Sequence, residues 1–248
     1  MAQLRRCVDA DLPLAPVHAV VGARLRAIEP GRADAMMAAP PEGLDAALWL
    51  LADFVSGLAV TGTLGAGERI TTLRLTLHVL TREVAGGTLA AVGCLDERGP
   101  DVALSTAVIT DAAGATVARA HGRNAILADA VAAATRVGAA PDWSAPPRSA
   151  VDLVVEGAPL DPLAVNYAGV VQGGVLASLP ARALEPLLGG PPDEASASFL
   201  RAVPADGRAV HTEAELQHGG RRLRTGRAAL RDADGRTVLT VEGLRYTA

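Results

Sequence analysis

Apolar and polar residues follow two patterns along this chain. Residues Leu44 to Val60 are apolar nearly all round a helical projection, which predicts a helix that is enclosed on most sides. Residues Ile70 to Leu80 alternate strictly, which predicts a strand with leucines on one face and polar residues on the other. That polar face comprises Thr72, Arg74, Thr76 and His78. A buried helix beside a sheet is therefore expected.

The same patterns predict a matching order of elements in each half. In the first half they predict a strand at 17–28, the helix at 44–60 and strands at 70–80, 88–95, 102–110 and 116–126. In the second half they predict a strand at 151–156, a helix at 173–188 and strands at 195–203, 209–217, 223–231 and 237–246. A helix followed by a meander of strands can bury its apolar surface only against that sheet, so an α+β fold is expected.

An internal repeat supports two units. DAAGATVARAHG at 111–122 and DADGRTVLTVEG at 232–243 align without a gap, and each predicts an Asp/Gly turn followed by a strand. Residues 128–150 between the halves are rich in Ala and Pro and predict a linker, with a short helix at 130–136 as an option. We therefore predict an N-terminal unit at 1–127 and a C-terminal unit at 151–248.

Composition narrows the classes of function. The net charge is −4 and there are only 2 Phe, 2 Tyr and 2 Trp, which argues against nucleic acid as a partner. All 23 basic residues are Arg, which excludes lysine chemistry. The two cysteines form no CxxC pair, the histidines share no metal-ligand spacing, and no apolar stretch is long enough to cross a membrane. We expect a cytoplasmic protein without a metal, a cofactor or a membrane partner.

The stretch NYAGVVQGGVLASL, residues 166–179, places two glycines at the start of the predicted second helix. Gly173 and Gly174 have no Cβ, so unpaired N–H groups at this helix start can closely approach a ligand. The positive end of the helix dipole suits a carbonyl oxygen that gains negative charge. Close packing of the helix against a neighbour accounts for the two glycines about as well.

On these residues the chain resembles the hotdog-fold acyl-CoA thioesterases, specifically the phenylacetate-type branch. The pattern of that branch is Asn, Gly, then His-Gly-Gly at the start of the central helix and an Asp nine residues after the His. Asn166, Gly173 and Gly174 match this pattern. Gln172 occupies the His place, and Ala181 occupies the place of the catalytic Asp. The resemblance covers nearly the whole chain as two fused hotdog units, each implied to be an antiparallel sheet wrapped around a helix.

The first half shows the complementary loss. Asp53 lies where the family's Asp is found, whereas Leu44, Asp45 and Ala46 occupy the His-Gly-Gly places. The resemblance therefore implies an internal pseudo-dimer with one composite site, in which the second half's helix start faces Asp53. The reciprocal site around Ala181 is expected to be inactive.

The resemblance also implies a role for each residue. Asp53 would be a general base or a nucleophile, the Gly174 N–H, with Gly173 as a second donor, would stabilise the oxyanion, and a threonine would orient the carboxylate. The implied catalytic residues are Asp53, Gly174, Asn166 and Thr72, and the implied substrate-binding residues are Gln172, Gly173 and Thr71. The implied partner is an acyl-CoA thioester substrate, and further pairing of two chains into a homodimer is left open.

Two other functions stay open at this point. A non-catalytic acyl-CoA-binding or scaffold protein is compatible with Gln172 in the His place. A hotdog hydratase would need a His five residues after an Asp, but Asp161 is followed there by Asn166. Hydratase is therefore the weaker of the two.

Overall fold

The computed structural model describes residues 1–128, 143 and 146–247. The first half contains α1 (Ala2–Asp9), α2 (Pro16–Val20), β1 (Arg24–Glu29), β2 (Arg32–Ala38), α3 (Leu44–Thr61), β3 (Arg69–Val79), β4 (Thr88–Arg98), β5 (Val102–Asp111) and β6 (Thr116–Leu127). The second half contains α4 (Gly173–Ala183), α5 (Glu185–Leu188), β7 (Glu194–Phe199), β8 (His211–Gly219), β9 (Leu223–Arg231) and β10 (Thr237–Tyr246), and short 3₁₀ turns lie at Ala150–Asp152 and Pro162–Ala164.

All ten described strands form one sheet. Its order is β1-β2-β4-β5-β6-β3-β7-β10-β9-β8, and every neighbouring pair is antiparallel. The two halves of the chain meet where β3 pairs with β7, from Arg74 opposite Ser198 to His78 opposite Glu194. The α+β class predicted from the sequence is therefore confirmed, with the strands of each half on one side of this junction.

Helix α3 forms the centre of the core. Residues Leu48, Leu50, Leu51 and Val55 are completely buried, as expected for a helix that is apolar all round. By length and composition α3 alone, among the described residues, could cross a membrane, but 72% of it is buried inside the protein. Its apolar surface is thus covered by the sheet and by α4.

Close backbone contact between α3 and α4 requires a glycine. A Cβ at Gly174 would overlap the backbone carbonyl of Trp49 and lie 2.9 Å from the Leu50 nitrogen. Gly93 on β4 has the same relation to α3, because a Cβ there would overlap the Val55 carbonyl. The packing explanation for Gly174 therefore holds, and it does not exclude a second role for its N–H group.

The internal repeat corresponds to two equivalent turns. Asp111 Oδ1 accepts hydrogen bonds from the Ala113 and Ala115 N–H groups at 3.0 and 2.9 Å. Asp232 Oδ1 accepts equivalent bonds from Asp234 and Arg236 at 3.0 and 2.9 Å. The glycines in the turns, Gly114 and Gly235, have φ of 82° and 76°. Each turn leads into a strand that neighbours the β3–β7 junction. Strand β6 pairs with β3, and β10 pairs with β7.

Some sequence predictions were wrong in detail. The predicted strand at 17–28 is divided into α2 and β1, because Pro16 begins a helical turn. The predicted strand at 151–156 is a 3₁₀ turn with no sheet partner, and the predicted helix at 173–188 is two helices, α4 and α5. Strand β2 was missed, and the option of a helix at 130–136 falls outside the described residues.

Candidate active site

One row of α3 residues faces the second half of the chain. Asp45, Trp49, Asp53, Gly57 and Thr61 follow each other at intervals of four, which places them along one side of the helix. All except Trp49 are partly exposed in a helix that is otherwise almost entirely buried. The helical repeat thus brings Asp53 to the border between the halves.

The Asp53 carboxylate accepts three hydrogen bonds from two other segments of the chain. Gln172 Nε2 donates to Oδ2 at 2.7 Å, and the Gly174 N–H donates to the same oxygen at 3.2 Å. Thr72 Oγ1 donates to Oδ1 at 3.0 Å. Two donors from the start of α4 and one from β3 therefore hold a carboxylate of α3.

Gln172 is the N-cap of α4 and is oriented by that role. Its Oε1 accepts the Val175 N–H at 2.8 Å, which satisfies one of the free donors at the helix start. The side-chain oxygen is thereby occupied, so the amide nitrogen points to Asp53. Gln172 is 3% exposed. In this chain the residue at the family's His place donates a hydrogen bond to the candidate catalytic carboxylate.

Burial raises the pKa of the Asp53 carboxyl above its ordinary value, because removal from water disfavours the charged form. The hydrogen bonds from Thr72, Gly174 and Gln172 act in the opposite direction and stabilise the carboxylate. The result is a carboxylate that is a stronger base than an exposed one and is fixed in direction.

Gly173 provides a second feature of this site. Its N–H group has no hydrogen-bond partner within the described part of the chain, whereas the Gly174 N–H is bonded to Asp53. A Cβ at Gly173 would lie 3.1 Å from Asp53 Oδ2 and 3.2 Å from the Phe199 ring. Gly173 and Asp53 are both partly exposed. The residue with this free donor therefore lies next to the carboxylate and is itself partly exposed.

Of the two threonines considered, Thr72 reaches Asp53 and Thr71 does not. The β3–β6 register shifts between Thr72 and Arg74, a β-bulge at Leu73 that reverses the alternation of the strand. Thr72 consequently shares the helix-facing side with Leu75, while Thr71 is exposed on the opposite side. The predicted polar face was wrong at Thr72, and Thr71, for which a substrate-binding role was predicted, lies on the exposed side of the strand away from Asp53.

Asn166 belongs to a turn next to the site. Its Oδ1 accepts the Ala168 N–H at 2.8 Å, and its backbone bonds to Val170 and Gly169 close the loop. No described hydrogen bond joins its side chain to Asp53, Gln172 or the glycines. The structure therefore places Asn166 close in the chain to the helix start, with its oxygen used to shape the loop.

Two residues near the site were missed from the sequence. Tyr167 follows Asn166, and both burial and the Asp53 charge raise the pKa of its hydroxyl. His18 stacks on Phe54 with ring centroids 3.8 Å apart, and burial lowers its pKa to about 3. Tyr167 lies within the 166–179 stretch but matches no position of the family pattern, whereas His18 lies in no motif and the fold alone brings it against Phe54.

The start of α3 meets α4 at a second junction with different chemistry. Asp45 and Trp49 line a cavity of about 10 Å³ together with Ala181 and Glu185. Arg82 bonds to two residues that line this cavity: its Nε and Nη2 donate to Asp45 at 3.1 and 3.0 Å, and Nη2 donates to the Pro192 carbonyl at 2.6 Å. Burial and the charge of Asp45 raise the pKa of Glu185. A closed ion pair thus occupies this junction.

No metal site is apparent among residues 1–128, 143 and 146–247. Within these ranges no three His, Cys, Asp or Glu side chains come together as a group that could hold an ion.

Asp161, considered above for a hydratase, caps the 3₁₀ turn at Pro162–Ala164 and accepts a hydrogen bond from Arg148 at 2.7 Å.

Among known proteins, this chain is similar to solved structures and to no family model or curated sequence. A proposed thioesterase from Novosphingobium aromaticivorans has a TM-score of 0.56 at 15% identity, over 90% of this chain and 98% of that protein. A 12:0-ACP thioesterase from Umbellularia californica has a TM-score of 0.53 at 11% identity, over 76% of this chain and 82% of that protein.

A third structure matches half of the chain. A proposed thioesterase from Ralstonia eutropha, a phenylacetic acid degradation-related protein, is 26% identical over 49% of this chain and 98% of that protein, with a TM-score of 0.43. The solved structures that this chain resembles are thioesterase-family hotdog proteins, and the large antiparallel sheet with its buried helix shows that the chain has a hotdog fold.

Proposed function

We propose that this chain hydrolyses an acyl-CoA thioester at one composite site between two tandem hotdog units that form an internal pseudo-dimer. The observation that carries the proposal is the Asp53 carboxylate, partly exposed, held by Gln172 and Gly174 of the second half and Thr72 of the first. The free Gly173 N–H lies beside it. A base and an oxyanion donor in one place are what thioester hydrolysis requires.

The arrangement of hydrogen bonds favours Asp53 as a general base. Oδ2 accepts two bonds and Oδ1 accepts one, so Oδ1 retains a lone pair for a water molecule. In the proposed reaction Oδ1 takes a proton from this water as its oxygen attacks the thioester carbonyl. The C–S bond then breaks, the proton passes from Asp53 to the leaving thiolate, and a carboxylic acid and a free thiol are released.

The oxyanion donor in this proposal is Gly173, a change from the role first predicted for Gly174. The Gly174 N–H is occupied by Asp53, whereas the Gly173 N–H is free at the positive end of α4. Loss of one such donor typically costs about 10²–10³ in rate. In this proposal Asn166 shapes the loop and Gln172 orients the Asp53 carboxylate. Neither residue needs to transfer a proton.

The equivalent turns and the sheet order support the two-unit arrangement. The Asp111 and Asp232 turns match bond for bond, and β3 and β7 join the units in one sheet. The likeness to the Novosphingobium protein over 90% of the chain is consistent with a similar arrangement. We place the two units at 1–127 and 151–248. We also propose that the protein is cytoplasmic.

A second candidate is a non-catalytic acyl-CoA-binding or scaffold protein. The observation in its favour is that three protein donors already satisfy much of the Asp53 carboxylate. A carboxylate bonded in this way can serve solely to join the two halves. The two candidates differ in whether Asp53 is needed for turnover or only for stability.

Measurement of free thiol release from a panel of acyl-CoAs separates the two. Wild type should hydrolyse at least one of these thioesters, and Asp53→Asn should reduce kcat by about 10³ because the base is lost. Asn keeps an oxygen for Gln172 and Gly174 and can donate to Thr72, so the fold should be preserved. The matched control is Asp45→Asn, two helical turns away on the same row of α3.

Asp45→Asn should leave kcat within about two-fold of wild type, since a group outside the site takes no part in the reaction. Wild type that binds acyl-CoA but releases no thiol above background would favour the scaffold function. An Asp53→Asn protein with full activity would contradict the assigned base.

A further inference from the structure

A large cavity lies between α2, the β1–β2 hairpin and the segment that joins the two halves. Its volume is about 590 Å³, within the range of roughly 300–1,000 Å³ that is typical of small-molecule sites. Its described walls are α2 with Gly22, the start of β1, the end of β2, the first residue of β4, Trp143, residues 146–148 and Leu163. None of these lining residues belongs to α3 or α4, so the cavity is separate from the Asp53 carboxylate.

Helix α2 forms one apolar wall of this cavity. Pro16, Ala19 and Val20 line the cavity, and their spacing of three and four residues places them on one side of the helix. Val17 and His18 lie on the other side and are buried in the core. This short helix therefore has one side in the protein core and one apolar side toward the cavity.

The segment that precedes the second half is fixed against this wall. The Arg148 N–H donates to the Val20 carbonyl at 2.9 Å. Pro147 packs against Gly22, where an added Cβ would lie 3.2 Å from the Pro147 Cβ and where φ is 72°. These contacts join residues that are far apart in sequence, so the cavity is formed by the fold itself and does not require a ligand to shape it.

The charged groups in the lining are both cationic. Among the described lining residues only Arg24 and Arg148 are ionisable. The Arg24 guanidinium carbon lies 4.3 Å from the centre of the Trp143 ring, which holds a cation against an apolar wall. From outside the lining, Asp11 accepts a bond from Arg24 at 3.0 Å and Asp161 accepts one from Arg148 at 2.7 Å. A guanidinium has five N–H donors, so each arginine retains donors for a second carboxylate.

The remaining walls are apolar and adaptable. Met36, Met37 and Ala38 at the end of β2 line the cavity together with Leu163. Methionine side chains are flexible and polarizable, so they can follow the shape of an apolar chain. An apolar space with two cations in its described lining and no carboxylate there is complementary to a molecule that combines an apolar chain with one carboxylate.

We propose that this cavity binds a small apolar carboxylate, which contacts Arg24 and Arg148 through its charged end and α2 and β2 through its chain. A compact anion would gain nothing from the apolar walls, and a neutral hydrocarbon would gain nothing from the two arginines. The inference does not depend on the proposed hydrolase activity, because no residue of the lining takes part in the proposed reaction. The ligand class includes the acids that thioester hydrolysis releases, yet the site is expected in an inactive protein as well.

Calorimetric titration with decanoate tests the site. Wild type and Asp53→Asn should each bind one decanoate per chain with similar affinity. Ala19→Phe places a ring in the cavity and should weaken binding at least about 10-fold, because the ring and the ligand compete for the same space. The matched control is Ala2→Phe at an exposed position of α1, which should leave the affinity unchanged.

The chemistry of the ligand is tested by removal of the charges. Arg24→Met/Arg148→Met should weaken decanoate binding at least about 10-fold, since hydrogen bonds to a charged group are lost. Decanol, which lacks the carboxylate, should bind more weakly than decanoate to wild type and should bind wild type and this variant alike. The matched control is Arg26→Met, which removes a charge from β1 outside the described lining and should leave decanoate affinity unchanged.

Circular dichroism establishes that each variant is folded, and the arginine variant decides the matter if Ala19→Phe does not fold. Wild type that binds no decanoate, or binding that is lost in Asp53→Asn, would overturn the proposal. So would unchanged decanoate affinity in Ala19→Phe or in the arginine variant, or decanol that binds wild type as tightly as decanoate. A wild type that binds decanoate but releases no thiol from acyl-CoAs would contradict the proposed hydrolase and leave this site supported.

Discussion

The two junctions between the long helices differ in what occupies them. At the first, α4 begins with two glycines against the middle of α3, and three donors hold the Asp53 carboxylate next to a free N–H group. At the second, the first turn of α3 carries Asp45 and Ala46, and Asp45 and Ala181 of α4 line a cavity of about 10 Å³. Arg82 neutralises Asp45 there.

The difference shows what the two glycines at the start of α4 make possible. A glycine at the start of α4 lets the helix approach α3 closely, so the Gly174 N–H group reaches the carboxylate. The ion pair at the second junction instead uses the side chain of Arg82 to neutralise a carboxylate and tie it to Pro192. The first junction leaves a donor free for a ligand, and the second joins parts of the protein to each other.

The largest expected effect comes from adding a side chain between α4 and α3 at the first junction. Gly174→Ala adds a methyl group against the Trp49 carbonyl, so we expect the free energy of unfolding to fall by about 3 kcal/mol and activity to be lost. The opposite change at the corresponding place, Ala46→Gly, should cost only about 1 kcal/mol from helix propensity. Urea denaturation of both variants measures the two values. Similar losses would show that the junctions pack alike.

A smaller effect is expected from removing the hydrogen bonds of Arg82 at the second junction. Arg82→Met removes the forked bond to Asp45 and the bond to Pro192, and should lower the free energy of unfolding by about 1–2 kcal/mol without changing kcat. Arg208→Met is the matched control, since its bonds to two surface aspartates should contribute less than about 0.5 kcal/mol. A change in kcat for Arg82→Met would mean that the second junction takes part in the reaction.

The smallest effect concerns the pH dependence of stability. The folded state raises the pKa of Asp53, so its protonated form stabilises the protein at pH values below the ordinary Asp pKa, about 3.9, and this contribution is lost as pH rises through the raised value. Asp53→Asn should therefore melt at a higher temperature than wild type at pH 8, and the gap should close in acid. Calorimetry between pH 3.5 and 8 gives both curves. A variant that is less stable at pH 8 would show that the ionised carboxylate stabilises the fold.

Local patterns were sufficient to predict much of the fold. The apolar run of α3, the two Asp/Gly turns and the alternating strands each depend on residues close in sequence, and all of them are present. The strand predicted at 151–156 failed because its apolar residues pack as a 3₁₀ turn and have no sheet partner. Strand β2 was missed because its outward positions carry Arg32 and Asp34, which hide the apolar side made of alanines and Met37.

The site was less predictable where tertiary structure decides. The sequence around Leu73 does not predict a bulge, yet the bulge turns Thr72 toward Asp53 and Thr71 away from it. Gln172 appeared to be a loss of the family's His, whereas capping by its oxygen directs its nitrogen to the carboxylate. The use of the Gly174 N–H by Asp53, which leaves Gly173 free, depends on how two helices approach each other.

The junction of β3 and β7 has a consequence for the order of folding. Asp53 and its partners Gln172 and Gly174 are 119 and 121 residues apart, and Arg74 pairs with Ser196 over 122 residues. Contacts of such separation form late, because the entropy of closing a long loop must be overcome first. Strands β1 to β6 can pair around α3 before the rest of the chain has left the ribosome, while Asp53 still lacks two of its donors. We therefore expect a newly made chain to acquire its compact shape before it acquires its chemistry.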